Sequence, residues 1–142
     1  MKKQDIINNY IPGAMKAIKE VGIANEEGIV QGVYESYIAG FGASIRQSGL
    51  LPTLIFFNNN EGKQGESSKW LRAILYVLEG ETTDDDMDLI QYVIKKTKKT
   101  EQANYRQTDL DLYKLHQIQS DIEHIVSALK LAVRTFNIAK DE

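Results

Sequence analysis

The side chains that catalysis usually recruits are few in this sequence, and their spacing suits structure better than chemistry. His116 and His124 stand eight residues apart in a helical stretch, whereas a metal pair on one helix needs i and i+4. Both are therefore read as surface or core-edge residues. Asp84, Asp85, Asp86 and Asp88 present oxygen ligands of the kind a divalent cation takes. They also precede an expected helix, where acids cap free N–H groups and answer the helix dipole, and that reading is preferred. Cysteine is absent, which removes thiolate metal sites, disulfides and a cysteine nucleophile. No P-loop, dinucleotide fingerprint or nucleophile elbow occurs. The expectation is a protein with no catalytic residue, no metal and no cofactor.

Cations that stand off the apolar stripes are better placed for a ligand. Lys69, Arg72 and Tyr76 line up at i, i+3 and i+7, combining charge for phosphate with a ring for stacking. Lys130 and Arg134 are i, i+4 neighbours sharing a face with Glu123 and Ser127, opposite an apolar seam. Arg46 points away from Phe41 and Ile45. The plain alternative is a solvated face whose long side chains snorkel. The basic run at 95–99 reads as the complement to a helix C-terminus.

These residues must be carried by helices. Only Pro12 and Pro52 interrupt the chain, and apolar positions recur every three or four residues. Six helices are expected, over about 5–21, 33–48, 52–57, 68–79, from the acids at 84–86 to the bases at 95–99, and 109–139. Asp5 is the expected N-cap of the first, Pro12 should kink or split it, and Gly22 should end it. Residues 25–32 and 58–67 read as loops. In the second helix Ala39, Gly40, Gly42, Ala43 and Ser44 are unusually small, which predicts a closely packed neighbour at Gly42. In the last, Leu115, Ile118, Ile122, Ile125, Leu129, Ala132 and Phe136 form a heptad-like seam. The predicted fold is all-α, a single compact bundle of about six helices over residues 1–142 with a long C-terminal helix.

Hydrophobic residues at 42% and charged residues at 26% are the balance of a folded soluble protein. Lys2 and Lys3 are followed by no apolar signal segment, and no apolar run approaches the ~20 residues that span a bilayer. A cytoplasmic protein with no membrane partner is expected. The net charge of −3 argues against binding nucleic acid through bulk positive charge. The charge is uneven, however: residues 61–90 carry three basic and eight acidic side chains, and residues 91–107 five basic and one acidic. A phosphate responds to the local field.

Three stretches carry a family resemblance. From Tyr37 to Phe57 a tyrosine-led helix runs into a turn with Ile45, Gly49, Leu50, Leu54 and Phe56 at characteristic positions. Residues 128–136 form a second signature, and Ile11, Pro12, Gly13 and Ala14 followed by Ala17 and Ile18 a third. Together they resemble the small subunit of the type III-B (Cmr) CRISPR-Cas effector complex. The resemblance implies a non-catalytic helical scaffold. Several copies would stack beside the backbone subunits that hold the guide RNA and reach toward the large subunit, helping to hold target RNA in antiviral defence. Target cleavage would belong to the backbone subunit. Arg46, Lys130 and Arg134 match basic positions in or beside two of the signatures and become the first candidates for RNA contact. Lys69 and Arg72 follow on helical placement alone. Two other readings stay open: a helical protein–protein adaptor with no nucleic acid nearby, and an all-α hydrolase using a metal at Asp84–Asp88.

Overall fold

In a computed structural model that describes residues 2–58, 67–80, 88–98 and 110–139, the chain is built on helices. The first, α1 (Lys3–Glu20), buries Ala14, Ala17 and Ile18. Lys2, not Asp5, holds its N-cap position, and Asp5 lies in the first turn. The helix continues through Pro12, contrary to a split at that point. Pro12 is exposed, and the carbonyl it leaves without a donor belongs to exposed Asn8, where water can serve it.

Gly22, at φ 82°, ends α1 as expected. The N–H of Ile23 donates to the carbonyl of Ile18 and the N–H of Gly22 to that of Lys19, the paired bonds of a Schellman cap. Beyond it the Asn25 carboxamide oxygen accepts from the N–H groups of Glu27 and Ile29. That turn leads into a strand the sequence reading missed. Strand β1 (Ile29–Gln31) pairs in parallel with β2 (Asn137–Ala139), Ile29 opposite Asn137. An antiparallel bridge joins Val30 to Ala24 on the other edge of β1.

Helix α2 (Gly32–Ser48) buries Tyr34, Ile38, Phe41 and Ile45. Gly49 turns the chain into α3 (Leu50–Asn58), where Phe57 meets Phe41 with ring centroids 4.8 Å apart. The Ser44 and Thr53 hydroxyls share a 2.9 Å hydrogen bond across the same corner. Ile55 and Phe56 face outward. Helix α4 (Ser68–Glu79) buries six residues, among them Trp70, whose Nε1 donates to the Tyr34 carbonyl at 2.9 Å. Helix α5 (Leu89–Thr97) is capped by Asp88, whose carboxylate accepts from the N–H of Gln91. The acids at 84–86 lie outside the described residues.

Helix α6 (Leu112–Val133) packs along α1 and also against α2, α4 and α5. It presents Ile118, Ile122, Ile125, Leu129 and Ala132 as predicted, with Val126 and Val133 widening the stripe. It stops at Val133, short of 139, and Phe136 lies beyond it in the turn toward β2. The seam pattern extends past the helix because Phe136 still packs against the core from the turn, and periodicity alone does not separate turn from helix over so few residues. The all-α expectation holds with this small sheet added. His116 is exposed and His124 half-buried, as expected.

Among the described residues, the close contact expected at Gly42 is absent. A Cβ on Gly42 would meet only a guanidinium nitrogen of Arg46, at 3.6 Å, and one on Gly40 would meet nothing within 4 Å. Ala39 and Gly40 are exposed. Ala39 and Gly40 occupy an outer face of α2, whereas Gly42, Ala43 and Ser44 are half-buried and Ser44 meets Thr53 of α3.

Candidate nucleic-acid interface

The sheet defines one end of the molecule. Strand β1 leads directly into α2, and β2 follows the end of α6, so the first turn of α2 and the last turn of α6 meet there. Lys69 belongs to this end. Its Nζ donates to the Gly22 carbonyl at 3.3 Å and lies 5.9 Å from the centroid of the Tyr34 ring. Those contacts answer the negative C-terminus of α1 and leave Lys69 half-buried. Lys69 is thus already engaged by the protein, unlike a cation held ready for a ligand.

One turn along α4, Arg72 is exposed. Tyr76, expected to join it as a stacking ring, is only 7% exposed and belongs to the core. Lys130 stands half-buried in the last turn of α6, and exposed Arg134 is the C-cap residue. Lys19, which sequence reasoning did not single out, adds a cation in the last turn of α1, 5.9 Å from the Phe136 ring centroid. Its position three residues before a helix-ending glycine was the available signal.

Arg46 stands apart. It lies fourteen residues along α2 from Gly32, or ~21 Å of helix away from the sheet end. The fold therefore gathers Lys69, Arg72, Lys130 and Arg134 within about a turn of one end and leaves Arg46 near the other. Arg46, Arg72, Lys130 and Arg134 form no hydrogen bond or ion pair among the described residues. Glu20, Glu26, Glu27 and Glu35 share the sheet end, so its field is mixed, with cations available as points of contact more than as a uniform basic surface.

A different chemistry gathers on the opposite side of α6. Burial raises the pKa of Tyr10, and Asp121 adds to the shift. Burial also raises that of Tyr92, together with the charge of Glu79, a hydrogen bond to it, and Asp121. Of the two, Tyr92 has a hydrogen-bond partner in the Glu79 carboxylate. Among the described residues no group of three or more histidines, aspartates or glutamates is placed to hold a metal. No described helix is long and apolar enough to cross a membrane.

The arrangement offers outward cations on a helical frame. No curated protein and no solved structure matches the chain. A family model does: the CRISPR-associated protein (Cas_Cmr5) model matches residues 10–119, from the first helix into α6. That match covers well over half of the 142 residues and takes in the helix–turn signature at Ile45, Gly49, Leu50, Leu54 and Phe56; the chain belongs to the Cas_Cmr5 family of CRISPR-associated proteins.

Proposed function

We propose that this Cmr-family chain is a non-catalytic structural subunit of a type III-B CRISPR-Cas ribonucleoprotein, lying in several copies along the guide–target RNA and helping to hold the target strand. Family membership supports assembly with the other subunits of such a complex. The observation that carries the RNA contact is the set of outward cations, Arg46, Arg72, Lys130 and Arg134, without a partner among the described residues. Copies laid side by side would repeat these cations along a strand, a use for which cations at separated ends of one chain are suited. Lys69 leaves the set, because the Gly22 carbonyl and the Tyr34 ring engage it.

The adaptor reading has one observation in its favour. Ile55 and Phe56 are 56% and 72% exposed on a helix that carries no charge, a surface suited to a protein neighbour. That surface also serves a scaffold, so the two readings differ in RNA alone.

The test uses the reconstituted complex, with target affinity measured at several salt concentrations. Replacing Arg46, Lys130 and Arg134 by Ala should flatten the salt dependence by about 0.7 per lost contact to a single strand. Base preference should hardly change, because phosphate contacts position without specifying. Unchanged affinity and slope, in a complex holding normal amounts of the variant, would reject this RNA face. Separately, the purified chain should not cut labelled RNA with Mg²⁺ or Mn²⁺. Cleavage that co-elutes with it and disappears in Asp84→Ala or Asp86→Ala would overturn the non-catalytic assignment.

A further inference from the structure

We infer that the junction of α5 and α6 is a second contact for single-stranded RNA, with Tyr113 as a stacking platform for a base and Lys95, Lys98 and Lys114 as partners for phosphate. The inference rests on the RNA-holding role proposed above, but on different residues.

The backbone brings these residues together. An antiparallel bridge pairs Lys98 with Leu110, and the N–H of Asp111 donates to the Thr97 carbonyl at 2.6 Å. The Thr97 hydroxyl, fully buried, donates to the Val93 carbonyl at 2.7 Å. The basic end of α5 is thereby fastened to the start of α6, a juxtaposition that residue order alone does not give.

Lys95, Lys98 and Lys114 are exposed there. Lys96 is exposed as well, but lies 5.6 Å from the centroid of the Tyr92 ring. Among the described residues the acid of this patch is Asp111, which accepts from the N–H groups of Tyr113 and Lys114 and so is committed to the N-terminus of α6. The described residues here, 95–98 and 110–114, carry four basic side chains (Lys95, Lys96, Lys98 and Lys114) and one acidic (Asp111), a net of +3 within a chain of −3.

Tyr113 is 72% exposed. Its hydroxyl accepts a hydrogen bond from the Gln117 carboxamide at 3.2 Å, which fixes the edge of the ring while its exposure leaves area open for a base. A helix C-terminus calls for about half a positive charge, which one lysine supplies. It explains neither three or four lysines nor an uncovered aromatic beside them. Cations interleaved with a bare ring are what a single strand uses, charge for the backbone and a π-face for any base. Protein interfaces are depleted in lysine, which favours nucleic acid over a protein neighbour at this patch.

The full-length chain is titrated with a fluorescent single-stranded oligouridine at several salt concentrations. Tyr113→Ala should weaken binding about tenfold and Tyr113→Phe should hold it within about twofold, since stacking needs the ring and not the hydroxyl. Replacing Lys95, Lys98 and Lys114 by Ala should flatten the salt slope by about 2. Thermal melts show that each variant is folded, and oligouridine carrying 4-thiouridine should photocrosslink within 110–117. Crosslinks found only elsewhere, wild-type affinity in Tyr113→Ala, or no binding by the wild type at low salt would each overturn the site. The Arg46, Lys130 and Arg134 triple Ala variant runs alongside. If it loses binding while Tyr113→Ala does not, this site falls and the earlier face stands; the reverse result supports this site and removes that face. Crosslinking of Tyr113 to a protein subunit in the assembled complex, with no RNA adduct, also overturns it.

Discussion

Lys69 shows how a single contact changes the reading of a cation. With its ammonium on the Gly22 carbonyl and over the Tyr34 ring, it ties the end of α1 to the first turn of α2 through α4. Lys69→Met keeps the aliphatic stem and should cost roughly 0.5–1.5 kcal/mol, whereas Arg72→Ala should stay within about 0.5 kcal/mol, both read by denaturant unfolding. Spacing on α4 placed the two residues on one face, but could not show that a carbonyl and a ring from distant segments converge on one of them. Tyr92 gives a pH prediction. Its folded pKa lies above the ordinary 10.0, through burial and the carboxylates of Glu79 and Asp121. A raised pKa means that the native state holds the phenolic proton more tightly than the unfolded chain. That stability is therefore fully present below pH ~10 and is lost as pH rises through the folded value. As pH rises above ~10, the melting temperature should fall more steeply in the wild type than in Tyr92→Phe. Equal slopes would show that Tyr92 contributes nothing.

At the scale of elements, α2 carries the clearest correction. Gly40 sits in a helix interior with nothing within 4 Å of its Cβ position. Gly40→Ala should stabilise by roughly 0.5–1 kcal/mol, seen as a melting temperature higher by about 2–4 °C. A lower value would mean that a neighbour does approach this face. Small residues in a helix are ambiguous in sequence, since they permit close packing and also appear where packing places no demand. Most helices were legible, because Ile122, Ile125 and Leu129, or Leu71, Ile74 and Leu75, declare a buried stripe by spacing alone. The sheet was not legible. Three residues on each strand, pairing 29 with 137, leave no local trace beyond a few apolar positions near Gly28. The candidate interface was legible only in part. The candidate cations could be named, while their distribution between two ends, the loss of Tyr76 to the core and the α5–α6 juncture all depend on tertiary contacts.

For the molecule as a whole, the exposed pair Ile55 and Phe56 bears on assembly more than on folding. Phe56→Glu should leave the melting temperature of the isolated chain within about 2 °C, while lowering the amount recovered with the other subunits on co-purification. Normal recovery would show that α3 faces solvent in the complex. The pairing of β1 with β2 has a further consequence, in time. Residue 137 follows residue 29 by 108 positions (137 − 29). At ~5–20 residues per second of synthesis, the partner strand of β1 emerges roughly 5–20 s after it. For most of that interval α1 and α2 also lack α6, the helix that contributes Ile122, Ile125 and Leu129 to their core and is complete only a few residues before β2. A nascent chain cut before α6 should therefore stay open to proteases and holding chaperones. The step to a closed fold should come only once α6 and β2 are both available, so the early helices wait on the late ones.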